Sequence, residues 1–132
     1  MVLSKKEFVM KAKVLIVVDM QNDFISGSLG SPAAEAIVSH VAEKIRQFEG
    51  TVFYTLDTHD ETYLATQEGK HLPVEHCIEG TKGWELATEI IEAKPIEAEN
   101  VYCKGQFGSV ELAEDLRDLN DMEGIDSIEL VG

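Results

Sequence analysis

Cysteine is scarce in this sequence, with Cys77 and Cys103 the only two among 132 residues. One pair at that separation makes no disulfide framework, and two thiols suit a reducing compartment, so a cytoplasmic location is expected. Basic residues are also few: 11 Lys and Arg stand against 25 Asp and Glu, a formal net charge of -14. Without a basic stripe to displace counterions, nucleic acid is excluded as the expected partner, and so is an anionic membrane surface. No apolar run approaches the ~20 residues of a membrane-spanning helix. Between Met1 and Lys13, Lys5, Lys6 and Lys11 interrupt the apolar residues, and no small-residue cleavage site follows. That stretch does not read as a signal peptide. What is present, 44% hydrophobic and 27% charged residues, is the composition of a folded domain, and residues 1–132 are read as one.

The apolar pattern alternates strand and helix. Val14–Val18 is a short β-branched run of the kind buried on both faces of a parallel sheet, and Asp19 ends it. Ser31 and Pro32 mark an N-cap and first helical turn. Ala34, Ile37, Val38, Val41, Ile45 and Phe48 follow at helical spacing, and Gly50 is the expected stop. Thr51–Leu56 reads as a second strand ended by Asp57. The polar stretch from Asp60 to Glu79 shows no period and is expected to be a functional loop. Trp84–Ile91 reads as a short helix. Asn100–Cys103 reads as a third strand ended by Lys104, with a turn at Gly105 and Gly108. Ser109 then caps a helix with Val110, Ala113, Leu116 and Leu119 on one face, and Ser127–Val131 reads as a fourth strand. This order predicts an α/β, doubly wound, mostly parallel (Rossmann-like) sheet. Such sheets rarely finish on a buried-type strand, so the sequence is expected to be the N-terminal portion of its fold.

Three charged residues, Asp19, Asp57 and Lys104, each follow an apolar strand. In open parallel sheets ligands bind outside the carboxyl ends of the strands, so the three are predicted to share one rim. A lysine held near an aspartate there can stabilise a thiolate or an oxyanion. Asp57 and His59 alternate along an extended stretch and so can reach one point. Carboxylate and imidazole donors together suit zinc, iron or manganese. Further ligands are expected from the loop, where Glu68, His71 and His76 are the candidates.

Specific motifs carry a resemblance. Val17-Val18-Asp19-Met20-Gln21-Asn22-Asp23-Phe24 resembles the opening strand motif of nicotinamidases and related isochorismatase-like cysteine hydrolases. Asp57-Thr58-His59, followed by Pro73-Val74-Glu75-His76-Cys77-Ile78-Glu79-Gly80-Thr81, is similar to their metal-loop region. Tyr102-Cys103-Lys104-Gly105 resembles their lysine motif. The match runs from Val14 to Gly132.

The resemblance implies a three-layer α/β/α isochorismatase-like hydrolase fold, incomplete at its C-terminus. It implies Asp19 and Lys104 as catalytic residues, Asp57, His59 and His76 as metal ligands, and Glu68, in preference to His71, as the fourth. Phe24 and Trp84 match aromatic positions that sandwich the substrate ring. The implied cofactor is a divalent metal, zinc before iron or manganese. The implied activity is hydrolysis of nicotinamide or a similar small amide through a thioester, within NAD salvage, by an assembly of identical chains. The nucleophilic cysteine is expected just beyond Gly132, which would leave these 132 residues inactive alone. Cys77 lies in the metal loop and Cys103 points away from Lys104's side of its strand, so both read as structural thiols. Alternatives are a metal-free isochorismatase-like hydrolase, a non-catalytic α/β binding module, and a fragment completed by a second polypeptide.

Overall fold

The computed structural model describes residues 11–105 and 108–132. The reading of the N-terminus, including Lys5 and Lys6, therefore lies largely outside the described residues. The sheet has four strands: β1 (Ala12–Val18), β2 (Thr51–Asp57), β3 (Val101–Lys104) and β4 (Ile125–Val131). Their spatial order is β3-β2-β1-β4, and every pairing is parallel. The helices are α1 (Asn22–Ile25), α2 (Pro32–Gln47), α3 (Gln67–His71), α4 (Thr88–Ala93) and α5 (Val110–Met122). Each of the four expected strands is present: β1 and β4 begin two residues earlier than expected, β2 ends one residue later, and β3 is shifted by one, Asn100 belonging to the preceding 3₁₀ turn. Asp57 and Lys104 are the last residues of β2 and β3 rather than the residues after them.

Two cores explain the apolar runs. On one face Leu15, Val17, Val52, Tyr54 and Leu56 pack under Val38, Val41, Ala42 and Ile45 of α2 and Ile90 of α4. On the other, Val14, Ile16, Phe53 and Tyr102 pack under Leu112, with Leu116, Leu119 and Ile125 partly buried against them. Central strands covered on both faces must be apolar at every position, and this removes the alternation of a one-sided sheet. Helices on both faces make the three layers.

The stripe of α5 that meets the sheet is Leu112, which is buried, with the expected Leu116 and Leu119 partly buried beside it. The expected face was displaced: Val110 is 71% exposed and Ala113 is also exposed. Ala and Val fit the period as well as Leu does, and the larger side chains won the sheet contact. In α2, Ile37 is likewise exposed. The stretch from Asp60 to Glu79 is not structureless. It holds a 3₁₀ turn at Tyr63–Ala65 and the single-turn α3, whose N-cap Thr66 accepts the Gly69 N–H at 3.0 Å. A single turn shows no period in a sequence. The helix expected at Trp84–Ile91 begins only at Thr88, because Leu86 forms an antiparallel bridge with Gln21.

The helix starts do follow their signals. Ser31 Oγ accepts the Ala34 N–H at 3.0 Å, and Ser109 Oγ accepts that of Leu112 at 3.2 Å. Ser31→Ala is expected to cost about 1 kcal/mol. Urea unfolding should show a lower midpoint at unchanged slope, and an unchanged midpoint would show that the cap carries nothing.

Candidate active site and metal centre

Parallel strands bring their carboxyl ends to one edge, and the three charged residues gather there. At Asp19 the chain leaves β1 with φ 49°, a left-handed conformation that Asp tolerates better than most residues. The Asp19 N–H still donates to the β2 main chain, at 3.1 Å from the Thr55 carbonyl, and lies 3.1 Å from Thr55 Oγ1. The carboxylate is held on both oxygens: Lys104 Nζ donates to Oδ2 at 2.8 Å and the Thr55 hydroxyl to Oδ1 at 2.6 Å. Strand alternation sets which side of β3 faces inward, so Tyr102 and Lys104 are buried while Cys103 between them is exposed. A lysine this far from water needs an anionic neighbour, and Asp19 supplies one.

The second group lies beside it. His59 Nε2 stands 3.1 Å and His76 Nε2 3.2 Å from the same oxygen, Asp57 Oδ2. One ligand atom from each of the three residues lies within 4.8 Å of the others, a set that could hold a metal ion. The donors fit a small divalent cation. Ligands about 2.0–2.1 Å from a tetrahedral zinc are about 3.3 Å apart, close to these separations. His76 Nδ1 is 2.8 Å from the Val74 carbonyl oxygen, and a proton donated there leaves the Nε2 lone pair facing the cluster. Tyr63 packs its ring against both imidazoles, with centroids at 4.6 and 4.9 Å, and its hydroxyl donates to the Leu72 carbonyl at 2.9 Å. Burial raises the Tyr63 phenol above its ordinary pKa, so it stays neutral beside the site.

A cavity of about 760 Å³ joins the two groups. Asp19, Lys104, Asp57, His59 and His76 line it, together with Phe24, Glu68, His71 and Leu72. Glu68 Oε2 is 3.6 Å from His59 Nε2, while His71 lines the same cavity from the end of α3. Phe24 reaches the cavity and lies 5.5 Å from the His76 ring. Trp84 is not among the cavity-lining residues. It packs against the α2 face of the core, and its indole N–H donates to Thr58 Oγ1 at 2.9 Å. Cys77 is fully buried, and burial reinforced by the carboxylates of Asp57, Asp23 and Asp19 pushes its thiol well above the ordinary cysteine pKa. Cys103 lies on the opposite side of β3 from Lys104.

Sequence reasoning did not single out Thr55, Tyr63 or Gln21. Thr55 sits inside an apolar run, where a lone hydroxyl signals a buried polar partner. Tyr63 and Gln21 carry no spacing signal of their own.

An aspartate–lysine ion pair and a nitrogen–oxygen donor set share one cleft outside the strand ends of a doubly wound α/β protein, the place where ligands bind in such folds. The family model for the isochorismatase domain matches residues 13–132, and the chain belongs to that family. The nicotinamidase of Saccharomyces cerevisiae is 30% identical, over 61% of this chain and 50% of its own length. The chain thus spans about half the length of that curated relative. Among solved structures, the nicotinamidase of Bacillus subtilis is similar, at 29% identity and a TM-score of 0.64, covering 92% of this chain and 70% of that one. A pyrazinamidase of Pyrococcus horikoshii in complex with zinc is similar at 26% identity and a TM-score of 0.66, again covering 92% and 70%. Among the described residues, no helix is long and apolar enough to cross a membrane.

Proposed function

We propose that this chain carries the acid–base and metal-binding part of a cysteine amidase that hydrolyses nicotinamide or a similar small amide. One observation carries the reading: the Lys104–Asp19 pair, at 2.8 Å, opens into the same cavity as the Asp57, His59 and His76 donor set. The similar nicotinamidase and pyrazinamidase act as their names state and lend their chemistry by likeness.

In this reading Asp19 is the general base and acid. Its carboxylate takes the proton of a cysteine thiol and becomes neutral, and Lys104 stabilises the single negative charge now on the thiolate. The thiolate forms a C–S bond to the amide carbon. Asp19 then returns the proton to the amide nitrogen as the C–N bond breaks and ammonia leaves. Water adds to the thioester, giving its proton to Asp19, and breaking the C–S bond regenerates the thiol and releases the acid. Asp57, His59 and His76, with Glu68 as the fourth ligand, would hold a divalent cation, zinc by preference, which supplies a Lewis-acidic anchor for the substrate. Phe24 supplies an aromatic wall for its ring.

Neither Cys77, buried with a raised pKa, nor Cys103, exposed on the other side of β3, suits the nucleophile. The reading places that cysteine just after Gly132. The register supports it: β4 is parallel to β1 with Val131 opposite Val17, and Gly132 packs against the Val18 main chain, one residue before Asp19. On this register a residue following Gly132 would emerge at the rim beside the carboxylate.

The test is ammonia release from a panel of amides (nicotinamide, pyrazinamide, N-carbamoyl compounds) by the polypeptide extended past Gly132. Release from at least one small heterocyclic amide, abolished by replacing the added cysteine, is expected. No release from any member would overturn the reading. A metal-free hydrolase is the second outcome, shown by activity that survives complete chelation.

A further inference from the structure

Gln21 is fully buried, and its carboxamide makes three hydrogen bonds of 2.8 Å. Its Oε1 accepts the Asp57 N–H, and its Nε2 donates to the carbonyls of Asp57 and Trp84. Two of the three bonds therefore go to the main chain of a single residue, the one whose Oδ2 faces both imidazoles.

The sheet explains why that residue needs them. β1 and β2 pair from Val14–Thr51 to Val18–Thr55, and the Asp19 N–H adds a last bond to the Thr55 carbonyl. The chain then turns away at Asp19 with φ 49°. Asp57 is one rung further along, and its N–H and C=O on the β1 side have lost their backbone partner. A primary carboxamide carries one acceptor and one donor side by side, as a peptide group does. Gln21 thus replaces the missing rung. Asp23, two residues on, works in the same direction: its Oδ2 accepts the N–H of Cys77, the residue after His76, at 2.8 Å.

We propose that Gln21 is a positioning residue for the metal centre, fixing Asp57 Oδ2 between His59 and His76 by completing the sheet ladder with its side chain. This rests on the metal-centre reading given above. Groups that orient a metal ligand without touching the ion typically contribute 10–100-fold in affinity. The backbone bonds here do the orienting, because Asp57 has only two side-chain torsions left once its main chain is pinned.

The test is zinc affinity by competition with a chromophoric chelator, together with unfolding of the metal-free protein in urea. The proteins are the wild type, Gln21→Ala, Gln21→Glu and Ile90→Ala. Gln21→Glu keeps the packing and the acceptor but removes the donor, so it serves where Gln21→Ala does not fold. Ile90, a buried core residue of α4 that makes no part of the cavity lining, is the control for loss of stability alone. Both Gln21 variants are expected to bind zinc 10–100-fold more weakly, and Ile90→Ala to bind it as the wild type does despite a lower urea midpoint. Affinity within twofold of wild type in a folded Gln21 variant would overturn the inference. So would an equal weakening in Ile90→Ala. A wild type that binds no zinc would overturn the metal-centre reading itself and the inference with it.

Discussion

In the polypeptide extended past Gly132, Asp19→Asn is expected to lower kcat/KM for the proposed amide hydrolysis by about 10³–10⁴-fold, toward the upper end of what one acid–base group contributes. Asparagine keeps the size and can still meet the Thr55 hydroxyl and the Lys104 ammonium. It cannot take a proton from a thiol or return one to a leaving nitrogen. The substitution also takes from Lys104 its counter-charge at Asp19. In a fully buried pair that alone would cost 3–5 kcal/mol, but the Asp19 side chain is 19% exposed, and about 1–3 kcal/mol is the discounted expectation. Rate and stability must therefore be separated. In the double variant Asp19→Asn with Lys104→Met, the cation and its partner charge are both gone, so stability should recover while the rate stays low. Ammonia release and urea midpoints measured on the same samples provide the check. If activity returned with stability in the double variant, Asp19 would be a structural partner of Lys104 and nothing more.

His76→Gln is expected to weaken zinc binding by about 10²-fold or more. Structural zinc sites bind with apparent free energies of about 10–16 kcal/mol, so one of four ligands carries a few kcal/mol, at 1.4 kcal/mol per tenfold. Glutamine fills most of the space that the imidazole occupies against Phe24, Tyr63 and His59. The loss is then that of the ligand atom, not of the packing. His71→Ala is the paired measurement, because His71 lines the same cavity but lies outside the set whose donors converge. It should leave the affinity unchanged, whereas Glu68→Ala, whose carboxylate is 3.6 Å from His59, should fall between the two. Equal losses at His71 and His76 would mean that zinc binds elsewhere in the cavity. The comparison also decides between Glu68 and His71 as the fourth ligand.

Much of this site was legible in the order of residues, for a reason particular to parallel sheets. An all-apolar run followed by one charged residue marks both a buried strand and its carboxyl end. Three such marks, at Asp19, Asp57 and Lys104, therefore predicted a shared rim before any coordinates. The alternation of Asp57 and His59 predicted a common direction, and the two imidazole nitrogens do face one carboxylate oxygen. The motifs around these residues carried the family, which the match over residues 13–132 shows. Trp84 illustrates the opposite case. The family resemblance implied a substrate-facing aromatic at this position, but nothing local to it says which way an indole points, and its N–H is directed to Thr58.

The sequence by itself determined the strands, the capped helices, the layering of a doubly wound sheet and the charged strand ends. Each of these follows from periodicity, capping chemistry or strand alternation, and those act over a few neighbouring residues. Only the tertiary structure decided that Thr55 holds Asp19, that Gln21 stands in for a missing rung beside Asp57, and that Leu112 rather than Val110 turns α5 onto the sheet. These contacts join residues far apart in the chain. Their free energy comes from satisfying buried polar groups and covering apolar surface that exist only once the strands lie side by side.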